Sequence, residues 1–170
     1  MMYLSETFRG SEAGNKYIFR LILLFMMLTF LISSAMALPA DSIEVIAKHP
    51  ESAANSIYQV KFSVSKPIPA NAMFRVTFPP EFDLSDLLIA GSTTINGGFE
   101  IAVDKQVIVM KRSGLGKELP ANENADLKFA IVRNPGKPAD DYKILIEILD
   151  GGEKSIFKAE KNQKILPRIE

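Results

Sequence analysis

The sequence contains no cysteine and no tryptophan in 170 residues, and its single histidine is His49. Without cysteine there is no disulfide, no thiolate nucleophile, no zinc finger and no lipidated N-terminal cysteine. A lone histidine excludes a multi-histidine zinc site. It also leaves one candidate base for a nucleophilic triad, and no Gly-x-Ser-x-Gly elbow accompanies it. An excess of either charge is missing as well, with 20 basic against 20 acidic side chains. Such a chain carries no electrostatic footprint for nucleic acid or for an anionic membrane surface. Beyond residue 40, no stretch sustains the 3.6-residue apolar period of a long helix.

What is present begins with a leader. Lys16 and Arg20 precede "LILLFMMLTFLI" (21–32), and "SSAMA" (33–37) follows with small Ala35 and Ala37. Basic, then apolar, then small residues predict a secretory signal peptide over 1–37, cleaved after Ala37. The competing reading is an uncleaved N-terminal membrane anchor, for which the run is short of the roughly 20 residues a span needs. The basic residues lie on the N-terminal side, so both readings export the remainder. Residues 38–170 then form a single domain. Loss of Arg9, Lys16, Arg20, Glu6 and Glu12 leaves 17 basic and 18 acidic side chains there, a net charge of −1. A domain of this size buries roughly two thirds of its extended-chain surface, enough for one core without disulfides. Exported and cysteine-free fits a prokaryotic surface protein better than a small secreted eukaryotic domain.

The exported part is dominated by β patterns. "SIEVIAKH" (42–49) reads as a first strand. "SIYQVKFSVS" (56–65) alternates, with Tyr58, Val60, Phe62 and Val64 on one face. "AMFRVTF" (72–78) points Phe74, Val76 and Phe78 inward. "FEIAVDKQVIVMKR" (99–112) reads as a hairpin turning near Asp104-Lys105. "DLKFAIV" (126–132) puts Leu127, Phe129 and Ile131 on one face, and "YKILIEIL" (142–149) does so with Tyr142, Ile144, Ile146 and Ile148. "DGGEK" (150–154) is a turn, and "SIFKAEK" (155–161) a last strand whose Lys158 and Lys161 guard an edge. The one helix candidate is "DLSDLLIAG" (83–91), with Ser85 as cap, Leu87 and Leu88 packing, and Gly91 ending it. About seven to eight short antiparallel strands with Gly and Pro punctuation predict an all-β, immunoglobulin-like antiparallel β-sandwich, with a barrel as runner-up.

Two stretches echo one another. "KPIPAN" (66–71) and "KELPAN" (117–122) each lead into an alternating strand, which then stops at Pro79-Pro80 or at Pro135. Proline fixes φ in a turn and cannot donate to a ladder. The echo therefore reads as one turn–strand–stop device used twice, once per sheet, rather than as a duplicated site.

Chemistry is sparse. No catalytic residue is assigned: His49, beside Pro50 at a strand exit, reads as a solvated turn residue, and the acids fall at outward or turn positions. The metal candidates are calcium-binding oxygens of "EFDLSD" and "NPGKPADD", namely Asp83, Asp86, Asp140 and Asp141. Asp83 and Asp86 fit helix-start capping equally well. "SGLGKE" (113–118) ends in Glu where a phosphate-cradling loop needs Ser or Thr, so it reads as a connection. No cofactor is predicted.

The run "SIYQVKFSVSKPIPANAMFRVTFPPEFDLSD" resembles an immunoglobulin-like module of bacterial and archaeal cell-surface proteins. The matching elements are Tyr58-Gln59-Val60-Lys61-Phe62, the turn Pro69-Ala70-Asn71, Phe74 to Phe82, Asn134-Pro135 and Asp141-Tyr142-Lys143-Ile144. Together they span about Ile43 to Leu149. Asn71 departs from the glycine common at that turn, and a single copy departs from the usual tandem arrangement. The resemblance implies an extracellular sandwich and supplies no catalytic residues. The function expected is a non-enzymatic module at the cell surface or in the periplasm, structural or binding a protein through loops or an edge strand. The alternative is a carbohydrate- or polymer-binding accessory module, which predicts an exposed aromatic strip drawn from Tyr58, Phe74, Phe129 and Tyr142. A secreted hydrolase is the third reading. No nucleic-acid partner is expected, and contact with a membrane is expected only through an uncleaved leader.

Overall fold

The computed structural model describes residues 41–169; the predicted leader lies outside them. Nine strands form two antiparallel sheets: β1 (Ser42–Ala47), β2 (Asn55–Ser63), β3 (Met73–Thr77), β4 (Ile89–Gly91), β5 (Phe99–Asp104), β6 (Val107–Arg112), β7 (Ala125–Arg133), β8 (Ala139–Leu149) and β9 (Ser155–Ile165). One sheet has the order β1-β2-β7-β4, the other β5-β6-β3-β8-β9. No helix occurs among the described residues.

Alternation explains the layering, because successive strand side chains point to opposite faces. Tyr58, Val60 and Phe62 of β2 and Leu127 and Phe129 of β7 face Phe74, Val76, Ile108, Met110, Ile144, Ile146 and Ile148 from the other sheet. All are buried. At one end Tyr58 meets Phe78 and Phe82 edge to face, a favoured aromatic geometry, and Phe78 and Phe82 are tilted against each other, with centroids 5.3–6.0 Å apart.

Two expectations fail for identifiable reasons. Residues 83–91 form no helix. Asp83 and Arg133 exchange backbone hydrogen bonds, and Leu88 N–H donates to the Ala130 carbonyl. The segment is thus drawn along β7 and ends as the short strand β4. Ser85 does not cap; its N–H donates to the Asp83 carboxylate at 2.9 Å, which holds that carboxyl below its usual pKa. Leu87 is buried as expected, but Leu88 is 84% exposed. Second, Ile131 is outward, not inward. The β2–β7 register slips between the Tyr58↔Phe129 and Ser56↔Val132 pairs, so β7 fits one extra residue there. A bulge of this kind flips the face of everything beyond it, which brings Val132 into the core. The final strand also runs four residues further than expected, to Ile165.

The echoed turns are joined in space. Ile68 and Leu119 each donate a backbone N–H to the other's carbonyl at 2.9 Å. The first turn delivers β3 to the five-stranded sheet and the second delivers β7 to the four-stranded sheet. Only Asn122, in the second, takes the left-handed conformation, at φ 64°.

Candidate functional site

Most predicted site residues are scattered. The His49 side chain is exposed and makes no hydrogen bond to a hydroxyl or carboxylate among the described residues. Its backbone matters more: the His49 and Glu51 carbonyls each accept a hydrogen bond from Asn134 Nδ2 at 2.8 Å. Asn134 Oδ1 accepts one from the buried Tyr58 hydroxyl at 2.6 Å. The Asn-Pro motif thus staples the β1–β2 loop to the core. Asp83 and Asp86 lie in the β3–β4 connection. Asp140 and Asp141 sit on β8 rather than in the expected loop, and Asp140 pairs with Lys164 at 3.1 Å. No group of three potential metal ligands occurs among the described residues.

"SGLGKE" serves packing. A Cβ on Gly116 would lie 2.4 Å from the Asn96 carbonyl oxygen, so glycine permits two loops to touch. Beneath them Arg112 is buried. Its Nη1 donates to the carbonyls of Ile68 and Pro69, at 3.2 and 2.7 Å, and its Nη2 to those of Asn96 and Lys117. It has no ion pair among the described residues, and burial lowers its pKa.

Sequence reading missed a hollow on the outer face of the four-stranded sheet. It measures about 460 Å³ and is bordered by Glu44, Gln59, Lys61, Thr93, Asn124 and Asp126, within the size range of small-molecule or side-chain pockets. β1, β2 and β7 lay these residues side by side, with Glu44 opposite Lys61 and Lys61 opposite Asp126. The loop after β4 folds over the sheet because Asp126 holds it there. Its carboxylate accepts hydrogen bonds from the Thr93 N–H and hydroxyl, both 2.8 Å, the Thr94 hydroxyl at 3.1 Å, the Ser92 hydroxyl at 3.2 Å and Gln59 Nε2 at 2.8 Å. Lys128 Nζ stands 3.6 Å away. The available signal was an acid on an outward strand position together with the hydroxyl run Ser92-Thr93-Thr94.

Burial alone would push the Asp126 carboxyl up. The donors from Thr93, Gln59 and Thr94 outweigh it and hold the group well below the usual carboxylate range. The pKa is depressed in the folded state, so the stabilisation is complete above the unfolded value of about 4 and disappears as pH falls through the folded value. Asp126→Asn is therefore expected to destabilise the protein at pH 7 and to flatten the loss of stability below pH about 4. Urea titrations at both pH values measure this, and a variant as acid-sensitive as the parent would contradict it.

Lys61 has no ion pair among the described residues, whereas the outer face of the other sheet is cross-linked by Arg75, Glu147 and Lys158, and by Lys143 and Glu160. Further along β2 and β7, Ile57 and Ile131 present apolar surface at 39% and 40% exposure. The aromatic strip is absent. Tyr58, Phe74 and Phe129 are buried, and Tyr142 is half-buried, edge-on to Phe82, with its hydroxyl donating to the Lys137 carbonyl. No aromatic side chain among the described residues is fully exposed.

The sequence matches no protein-family profile and no curated protein. Solved structures resemble it in fold. The N-terminal domain of a Streptococcus gordonii adhesin aligns with TM-score 0.50 and 12% identity, over 76% of this chain and 33% of that one. The major pilin subunit of Bacillus cereus aligns at 0.48 and 11%, over 75% and 40%. A cohesin module from a Clostridium perfringens family 33 glycoside hydrolase aligns at 0.48 and 14%, over 75% and 96%. The chain therefore spans less than half of the adhesin and pilin chains. At these identities the likeness is one of fold, and function has to be argued from the site.

Proposed function

We propose that this chain is an exported, non-enzymatic module, its leader removed after Ala37, that binds a protein partner through the outer face of the four-stranded sheet. The observation that carries the reading is the hollow over Asp126. It combines hydrogen-bonding groups of both kinds, an ammonium at Lys61 with no ion pair among the described residues, and apolar lining from Ile43 and Phe62. An apolar patch beside placed polar groups is the make-up of a protein-binding surface. The fold likeness to an adhesin domain is in keeping with it. The absence of an aromatic platform among the described residues disfavours a sugar polymer, which stacking would hold.

The experiment has two arms. Mass spectrometry of the exported protein is expected to find a chain beginning at Leu38; retention of the leader in full would overturn cleavage. A photo-crosslinker at Gln59 is expected to trap one discrete surface protein. Lys61→Gln, which removes the charge without setting a third acid between Glu44 and Asp126, is expected to reduce that product at least tenfold. Binding to a glycan array with no protein crosslink would replace this reading with the carbohydrate one.

A further inference from the structure

The two margins of the sandwich are finished differently. At one, β1 runs beside β9. There Lys161 stands opposite Ile144 on the inward phase of β9, and an inward charge on an edge strand discourages further pairing. At the other margin β4 runs beside β5. Among the described residues β5 is an edge strand without lysine, proline or bulge, paired in unbroken register with β6 on one side only. Ile101 and Val103 lie on its inward phase, opposite the fully buried Met110 and Ile108, yet are 37% and 40% exposed. The cause is β4, whose three residues are too few to roof them. Leu88 and Ile89 are exposed at the same margin.

We propose that β5 pairs antiparallel with β5 of a second copy, joining the two five-stranded sheets across a two-fold axis at Ile101. The strand's own charges permit pairing with itself and, together with its length, select the register. A two-fold axis normal to the sheet keeps both inward phases on one side, so only registers pairing odd with odd positions are allowed. Centred on Ile101, Ile101 meets its symmetry mate, Phe99 faces Val103, and Glu100 faces Ala102. No like charges oppose. Centred on Ala102, Glu100 would face Asp104 twice; centred on Glu100, it would face itself. Both place like charges directly opposite, which is destabilising; centred on Val103, no like charges oppose but only Ala102 to Asp104 would pair. The Ile101-centred pairing buries the aliphatics that β4 leaves bare and brings Leu88 and Ile89 of both copies to the flanks of the new seam. It uses a different surface from the hollow and does not depend on it.

The absence of cysteine makes the test direct. Antiparallel partners lie about 4.5–5.5 Å apart at Cα, within disulfide reach. In the full chain under mild oxidation, Ile101→Cys is expected to give a disulfide-linked dimer of doubled mass, while Ala102→Cys forms no disulfide-linked dimer. A cysteine-free arm runs beside it. The parent chain is expected to sediment as a concentration-dependent dimer, Val103→Lys as a monomer with its thermal transition retained, and Lys61→Gln as a dimer. A parent that stays monomeric at every concentration would overturn the proposal. So would crosslinking through Ala102 in place of Ile101, or through Lys158→Cys on β9 as readily as through Ile101→Cys.

Discussion

Replacing Tyr58 with alanine is expected to destabilise the fold by about 4 kcal/mol, the range for deleting a large core aromatic. The ring is fully buried, packs edge-on against Phe78 and Phe82, and is the sole partner of Asn134 Oδ1. Burial raises the phenol pKa, so the hydroxyl donates throughout the physiological range. Tyr58→Phe isolates that bond. It should cost about 1–2 kcal/mol, mostly from leaving a buried amide oxygen unpaired. In a double-mutant cycle, Tyr58→Phe and Asn134→Ala should be strongly non-additive, because both remove the same contact. Chemical denaturation measures all three, and additive losses would show that the hydroxyl and the amide do not act together.

The second large effect is expected at Arg112, where methionine should cost about 3 kcal/mol. Methionine fills most of the volume but leaves the Lys117 carbonyl without a donor, at about 1–3 kcal/mol, and the Pro69 carbonyl with the Ala72 N–H alone. Part of this is offset, since an uncompensated guanidinium no longer has to be desolvated. Arg112→Lys should recover less than half, because one ammonium cannot fork to two turns. Hydrogen exchange separates this variant from the Tyr58 series. Amide protection at Ile68 and Leu119 should fall in Arg112→Met while the Asn134 end of the sandwich stays protected. Uniform loss of protection across the molecule would contradict a local clamp.

How far the sequence discloses this arrangement depends on whether a feature is periodic. β2, β3, β6 and β8 were legible because their inward positions alternate without interruption. β7 was legible only to Phe129, since a bulge leaves no mark on the alternation of Phe129, Ile131 and their neighbours. Residues 83–91 misled because Asp83, Ser85 and Leu87 satisfy helix-start chemistry locally. The outcome was set instead by β7, which offers Ala130 and Arg133 as partners some 45 residues away in the chain. The hollow was hidden for the same reason. Asp126 looks like an ordinary solvent-facing acid until Ser92-Thr93-Thr94 folds across it. The echoed turns were legible as turns and as one per sheet, but their mutual pairing was not.

The C-terminal end of β9 bears on how the domain carries load. Leu166 forms a parallel bridge with Glu51, exchanging backbone hydrogen bonds with Pro50 and Ser52 at 2.8 Å. Wherever the protein is held at both ends, tension leaving through the C-terminus meets those bonds side by side, in shear. They must rupture together rather than one after another. Resistance to pulling is set by the rate of forced opening rather than by equilibrium stability, so a short parallel bridge can make the domain mechanically stiffer than its thermal stability indicates.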